Sequence, residues 1–203
     1  MESPISASIP DLSRETPRRL WDPPRRLLRS LRRYQASRQC QGPLAAGIRY
    51  LSVLEHRFWS VVTGADIPLN CRLGGGLLLV HANGIVIHPD ATVGPNCLIF
   101  QQVTLSAGVR LGGHVDVGSG AKIIRPVAIG DHANVGANAV VLSDVPAGAT
   151  AVGIPARVIV PENVDPAARP ARHATDGQRG RDDGGRYGRQ RPYYAVSNRR
   201  VVE

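Results

Sequence analysis

The chain has 203 residues, of which 42% are hydrophobic and 20% charged, and its formal net charge is +9. No apolar run approaches the ~20 residues that a membrane-spanning helix needs, and the first twelve residues lack the basic-then-apolar order of a secretory signal. The three cysteines, Cys40, Cys71 and Cys97, form no CxxC pair and show no metal-ligand spacing. The composition therefore predicts a cytoplasmic protein without a disulfide framework, a metal site or a membrane partner.

The excess positive charge lies in the two flanks of the chain. Residues 1–60 carry eleven arginines against five acidic residues, and residues 161–203 carry nine against six. Residues 61–160 are neutral, with five basic and five acidic side chains. Basic flanks attract polyanions, but no aromatic side chains are interleaved to stack on bases. We therefore expect no nucleic-acid partner and attribute the arginines to compositional bias.

The first part of the chain divides into a polar start and a helical segment. Residues 1–16 are polar and are expected to be disordered. A helical segment is predicted over 17–64, because apolar residues recur every three or four positions from residue 44 to residue 62. This spacing of apolar residues is that of an amphipathic helix. Gly64 is a typical residue at which such a helix ends.

The middle of the chain contains a repeat of six residues. Ten consecutive positions at this interval are all Val, Ile or Leu: Ile87, Val93, Ile99, Leu105, Leu111, Val117, Ile123, Ile129, Val135 and Val141. A second set, four residues after each of these, contains only small or β-branched side chains. An earlier set has the same period but is offset by two residues: Ile67, Leu73, Leu79 and Ile85. This regularity is the strongest structural signal in the sequence.

A period of six fits a short flat strand followed by a corner, with one large aliphatic side chain pointing inward. Three such sides close a triangular coil, so that residues 18 apart stack at the strand spacing of about 4.8 Å. A β-sandwich would instead show turns every 8–12 residues and no fixed period. We therefore predict a mainly β fold, a parallel β-helix over 65–160. The remaining residues, 161–203, are rich in Arg, Gly and Asp and are predicted to form a disordered basic tail.

Several short segments of the coil carry a resemblance to a known family. They are Asp66-Ile67-Pro68, His81-Ala82-Asn83-Gly84-Ile85-Val86-Ile87-His88-Pro89, Gln102-Val103-Thr104-Leu105, Gly118-Ser119-Gly120-Ala121-Lys122-Ile123-Ile124, Gly136-Ala137-Asn138-Ala139-Val140-Val141 and Val152-Gly153-Ile154-Pro155-Ala156-Arg157. Together they resemble the hexapeptide-repeat acyltransferases, and within that superfamily the serine O-acetyltransferases. The resemblance implies a left-handed β-helix, a homotrimer, and transfer of an acetyl group from acetyl-CoA to the hydroxyl of L-serine in cysteine biosynthesis.

The resemblance also assigns roles to individual residues. His81 falls on the family's catalytic histidine, the general base that takes the proton from the acceptor hydroxyl. Asp66 falls on the aspartate that fixes the tautomer of that imidazole. The acetyl group is expected to pass directly to the acceptor, with neither an enzyme nucleophile nor a metal.

Five further positions are expected to contact acetyl-CoA. Backbone amides near Thr104 and Ala107 correspond to those that contact the cofactor arm, and Ser119 and Ala137 to the small residues that line the coenzyme slot. Arg157 is expected to bind the coenzyme's phosphates, on the basis of its charge and position.

The sequence departs from the family pattern in two places. Val80 stands where the family usually has an aspartate before the catalytic histidine. The family's loop after the Val-Thr-Leu segment, which carries an Arg-His pair for the serine carboxylate, is missing, because Leu105 and Leu111 keep the six-residue phase. His88 and His114 could replace that loop's histidine, whereas His132 is interpreted as a corner residue. These departures leave two alternatives, acetyl transfer to a sugar or another small acceptor, and a non-catalytic trimeric scaffold.

Overall fold

The computed structural model describes residues 5–160, which form a short N-terminal strap, two helices and a parallel β-coil. A 3-10 helix spans Leu12–Glu15, helix α1 spans Pro23–Ser37 and helix α2 spans Pro43–Thr63. Each α-helix begins at a proline, whose missing N–H is not needed in the first helical turn. Gly64 ends α2 in the left-handed conformation, with φ of 67°, and its N–H donates to the Ser60 carbonyl. The predicted helical segment and its stop are confirmed.

The coil consists of fourteen short strands that lie on three faces. The strands are β1 Arg72–Leu73, β2 Leu78–Val80, β3 Val86–Ile87, β4 Thr92–Val93, β5 Leu98–Phe100, β6 Thr104–Leu105, β7 Arg110–Leu111, β8 Asp116–Val117, β9 Lys122–Ile123, β10 Ala128–Ile129, β11 Asn134–Val135, β12 Val140–Val141, β13 Thr150–Val152 and β14 Arg157–Ile159. The first face has the order β1-β4-β7-β10, the second β2-β5-β8-β11-β13-β14, and the third β3-β6-β9-β12. All pairs are parallel except β13 with β14. The predicted parallel β-helix is confirmed, and its hand stays a prediction from the resemblance.

The inward aliphatic positions fill the coil. All ten members of the six-residue repeat are buried, and so are the ten small or β-branched residues that follow them. Ile99, Leu105 and Ile123 have no exposed surface. Neighbouring strands within a face are 18 residues apart along most of the coil, as in Thr104 opposite Lys122. The predicted stacking of residues 18 apart is therefore present.

The two-residue offset in the repeat arises at a single corner. Leu79 pairs with Ile99, and Val86 pairs with Thr104. In the first turn, six residues (80–85) therefore separate the paired positions of the second and third faces. In the next turn, only four residues (100–103) separate them. The corner after β2 therefore contains two extra residues. Because the extra residues lie between two inward positions, the core remains continuous on both sides of them.

The N-terminal strap, residues 5–16, differs from the prediction of disorder over 1–16. Asn96 is buried and holds the strap, since its Nδ2 donates to the Ser6 and Ile9 carbonyls at 2.7 Å and its Oδ1 accepts from the Asp11 N–H at 2.8 Å. The strap also passes so close to Gly113 that a side chain there would meet the Ala7 carbonyl. Polar residues with few apolar neighbours are thus ordered by hydrogen bonds to one corner of the coil.

A cluster of polar contacts joins the strap and the helices to the open end of the coil. Glu15 lies in this junction with both carboxylate oxygens on Arg32, and its Oε1 also accepts from the Leu77 N–H at 3.0 Å. Arg32 in turn donates to the Leu73 and Gly74 carbonyls. His56 of α2 donates through Nε2 to the Ile67 carbonyl at 2.8 Å. These groups satisfy backbone atoms that the first turn of the coil leaves without strand partners.

The apolar stripe of α2 lies on the outer surface of the chain. Seven side chains of this stripe are exposed: Leu44, Ile48, Leu51, Leu54, Phe58, Val61 and Val62. The buried side of the helix instead carries Ala45, Ser52, His56, Trp59 and Thr63. The periodicity predicted the helix correctly. The face that is buried, however, is the one with smaller and more polar side chains and not the apolar stripe.

Within the described residues, neither helix has the length and apolar content required to cross a bilayer. The predicted basic tail, 161–203, lies outside the described residues.

Candidate active site

The predicted catalytic histidine lies on the edge where the second and third faces meet, which we call the 2–3 edge. The strand registers place His81, Gln101, Ser119 and Ala137 at equivalent corner positions of four successive turns. Neighbouring turns are about 4.8 Å apart, so these residues form one line along the edge. The structure therefore brings together His81 and two of the five residues predicted to bind the cofactor.

His81 occupies the longer corner of this edge. Its backbone is in the left-handed region, with φ of 50°, and its side chain is exposed. Gly84 supplies a second left-handed residue in the same corner. The two extra residues lengthen this corner relative to the next one of the edge, and the left-handed backbone of His81 is the conformation that several other corners also adopt. The corner thus presents an imidazole at the surface of the prism rather than in its core.

Asp66 lies at the start of the coil, beside the third face. Its N–H donates to the Ile85 carbonyl at 2.8 Å, and its carbonyl accepts from the Ile87 N–H at 3.0 Å, which places it opposite Val86. The carboxylate is exposed. Among residues 5–160, no hydrogen bond or ion pair joins Asp66 to His81 in the single chain. The predicted pair is therefore placed on the same turn of the coil without direct contact.

The other predicted cofactor residues occupy separate positions. Thr104 lies on the third face, between Val86 and Lys122, and Ala107 lies at the next corner, between β6 and β7. Arg157 in β14 pairs with Val152, just before the last corner of the 2–3 edge. Arg157 thus lies near one end of the edge and His81 at the other. An elongated cofactor along this edge could contact both ends, whereas Ala107 lies across the third face from it.

Two polar residues on or beside this edge, Gln101 and Lys122, were not identified as functional from the sequence. Gln101 stands between His81 and Ser119, and its buried Oε1 has no donor among the described residues. The Lys122 ammonium donates to the Gln102 carbonyl at the same edge. The spacing of 18 residues between Gln101 and Ser119 was visible in the sequence. The equivalence of Gln101 and His81 was not, because the two-residue offset makes their spacing 20. An unpartnered buried acceptor is the kind of group that a bound ligand can satisfy.

The predicted absence of the loop is seen at the corner between the third and first faces. The chain passes from β6 to β7 through residues 106–109, a corner of four residues like most of the others. The 2–3 edge, on the other side of the third face, is itself a line of chain corners, so in the single chain it is a convex ridge. A groove of about 460 Å³ lies elsewhere, between α1 and the first face, where Arg38 and Arg72 line it.

Known proteins resemble the chain over this region. No family model matches. A serine acetyltransferase from Synechocystis sp. is 48% identical over 114 residues, which cover 51% of this chain and 46% of the relative. A soybean serine acetyltransferase in complex with serine superposes with a TM-score of 0.54 at 34% identity, covering 66% of this chain and 56% of that one.

The coil is serine acetyltransferase-like. A serine acetyltransferase from Brucella abortus in complex with coenzyme A superposes with a TM-score of 0.58 at 30% identity, over 70% of this chain and 57% of that one. The chain spans about half the length of the curated relatives that it matches. The similarity therefore concerns about half of those enzymes rather than the whole of them.

Proposed function

We propose that this protein transfers the acetyl group of acetyl-CoA to the hydroxyl of L-serine, with His81 as general base and Asp66 as its positioning partner. One observation carries the proposal: His81 lies in the widened corner of an edge that also carries Ser119 and Ala137. The similarity of the chain to serine acetyltransferases supports it. The three cysteines are free thiols, which fits a reducing cytosol as the site of the reaction.

The proposed chemistry needs only a base and a positioned thioester. The neutral imidazole of His81 takes the hydroxyl proton while the serine oxygen attacks the thioester carbonyl. The resulting tetrahedral intermediate collapses with cleavage of the carbon–sulfur bond, and the imidazolium returns the proton to the departing thiolate. Asp66 would stabilise the imidazolium in the transition state. Ser119, Ala137, Thr104, Ala107 and Arg157 are the proposed contacts to the coenzyme.

We further propose that the active unit is a homotrimer. The 2–3 edge is convex in the single chain, so a second wall is needed to hold a thioester against His81 and exclude water. A neighbouring coil can supply that wall, and closed cyclic assemblies are the common way to pair such faces. The exposed apolar stripe of α2 is a second surface that a copy of the chain could bury.

The decisive experiment measures coenzyme A release from acetyl-CoA in the presence of L-serine. The variant His81→Ala should be slower by roughly 10²–10⁴-fold, the usual contribution of a general base. His132→Ala is the matched control, because His132 is an exposed corner histidine with the same left-handed backbone as His81 and lies on another edge of the coil. Both are best made in a Cys40→Ser background, since Cys40 is exposed and would react with a thiol reagent.

An unchanged rate in the folded His81→Ala variant would remove His81 as the base. The four-residue corner after β6 favours sugars or small amines as the alternative acceptors, because this corner lacks the loop that holds a serine carboxylate in the family. A panel of sugars and small amines in the same assay separates the two proposals. Release with sugars alone would assign the other acceptor class, and no release with any acceptor would favour a scaffold.

A further inference from the structure

Two histidines outside the candidate active site form a pair on another edge of the prism. His114 and His132 occupy equivalent corners between the first and second faces, in successive turns; the side chain of His132 is exposed and that of His114 is partly exposed. Their Nδ1 atoms are 2.8 Å apart, and the ring centroids are 5.0 Å apart. The edge that carries them is not the one that carries His81, so the pair lies outside the candidate active site of its own chain.

The backbone fixes the two residues one turn apart. Both are in the left-handed region, with φ of 51° for His114 and 58° for His132. The His114 N–H donates to the Pro95 carbonyl at 2.7 Å, and the His132 N–H donates to the Gly113 carbonyl at 3.0 Å. The two Cβ atoms are thus held on adjacent turns. Only rotation about the side-chain torsions is needed for both rings to face one ligand.

We propose that His114 and His132 chelate a divalent transition-metal ion such as Cu²⁺ or Ni²⁺ through their Nδ1 atoms. Two ligands at ~2.0 Å from one ion and at right angles to each other are about 2.8 Å apart, which is the geometry that these ions favour with imidazole nitrogen. One Nδ1–H now donates to the other Nδ1, so chelation requires that one ring move its proton to Nε2. Residues 5–160 offer no third His, Cys, Asp or Glu ligand here, so water completes the coordination.

The surroundings favour a cation at this position. Asp131, beside His132, is exposed, and its Oδ1 accepts from the Gly113 N–H at 2.7 Å, which holds the carboxylate at the same corner. No arginine or lysine among the described residues forms an ion pair with Asp131. A bound ion would add a metal bridge between two turns of the coil that backbone hydrogen bonds and the Asp131–Gly113 hydrogen bond already connect at this corner.

The test is calorimetric titration of the purified full chain with Cu²⁺, accompanied by electron paramagnetic resonance of the bound copper. The variants His114→Asn and His132→Asn suit it, because asparagine tolerates the left-handed backbone, as at Asn138 of another corner. Each should weaken one binding event per chain by at least about tenfold, the lower limit seen for loss of even an outer-shell partner. The copper spectrum should show coupling to two imidazole nitrogens.

His88→Asn is the control for an unrelated exposed histidine, and it should bind copper as the unaltered chain does. The double variant His114→Asn/His132→Asn gives the background from the N-terminal amine and the remaining histidines. Equal binding by the double variant and the unaltered chain, or full affinity in either single variant, would overturn the proposal. Acetyl transfer is not a readout, so failure here is distinguishable from failure of the proposed function.

Discussion

The coil and the N-terminal helices use their apolar residues in opposite ways. In the coil every sixth residue points inward, and the complete set is buried within one chain. In α2 most of the large apolar residues point outward, whereas Trp59 faces the protein together with the polar Ser52, His56 and Thr63. A closed prism can bury its aliphatic positions only in its own interior. A helix that packs on the end of the coil has one side against the coil and another side facing away from it. The periodicity of the helix does not determine what covers that outer side.

Truncation of an inward residue of the coil should have the largest effect on folding. Ile87→Ala removes a side chain that is 1% exposed and should lower the free energy of unfolding by about 2–5 kcal/mol, because the rigid turns above and below cannot close the cavity. Val86→Ala is the matched control, since the adjacent Val86 is 39% exposed and points outward. Its effect should stay within about 0.5 kcal/mol. Urea unfolding measures both values, and equal losses would contradict the inward–outward assignment.

The junction between strap, helix and coil should be nearly as sensitive. Glu15→Ala leaves Arg32 without its carboxylate and the Leu77 N–H without its acceptor. Breaking a buried pair in this way should cost about 3 kcal/mol of unfolding free energy. The prediction also tests whether residues 5–16 belong to the folded unit.

The control for Glu15 is a more exposed ion pair within the helices. Arg33 and Glu55 are 3.1 Å apart, and their side chains are 39% and 23% exposed. Glu55→Ala should cost less than about 1 kcal/mol, as surface pairs generally do. If both substitutions had the same small effect, the strap would contribute little to the stability of the coil.

The fold of the coil could be predicted from the sequence because its geometry allows only one period. Each inward position must be large and aliphatic, and each corner has little room, so the repeat is present throughout residues 87–141. The strap could not be predicted, because its order depends on Asn96, a polar residue 80 to 90 positions away that the sequence does not connect to it. The exposed side of α2 was also beyond prediction, since the spacing of apolar residues along a helix does not specify which neighbour covers them.

The candidate site was predictable only in part. His81, Asp66, Ser119 and Ala137 were identified from a resemblance, and the registers show which of them share an edge. The offset of two residues in the repeat was visible in the sequence, but only the strand pairing places it at the corner of His81. Gln101 was missed because an amide at a corner has no distinctive spacing until the turns are aligned.

The stability of the helical cap should depend on pH through His56. Burial lowers the pKa of His56, although hydrogen bonds to backbone carbonyls oppose the shift. The unfolded chain, with a histidine pKa near 6.5, therefore binds the proton more readily than the folded one. The stabilising contribution is complete above about pH 6.5 and is lost as the pH falls through the lowered folded value. The slope of unfolding free energy against pH reaches at most about 1.4 kcal/mol per unit for one proton.

Urea unfolding between pH 7 and pH 5 tests this prediction for His56→Gln, which should flatten the slope. His88→Gln serves as the comparison, because His88 is exposed on the coil, and it should keep the slope of the unaltered chain. An identical slope in the His56→Gln variant would show that another group titrates.

The smallest effect on folding, and the sharpest contrast with the coil, is expected on the outer stripe of α2. Leu51 and Val61 are 60% and 83% exposed, so Leu51→Ser and Val61→Ser should change the unfolding free energy of the dissociated chain by no more than about 0.5 kcal/mol. If copies of the chain cover this stripe in the proposed homotrimer, both substitutions should nevertheless weaken association, because they remove apolar surface from the contact. Sedimentation over a range of concentrations measures that change, with Arg57→Ser as an exposed control on the same helix. If neither substitution changed association, the trimer would be held by the faces of the coil. If either substitution caused a large loss of folding stability, α2 would bury its apolar stripe within its own chain.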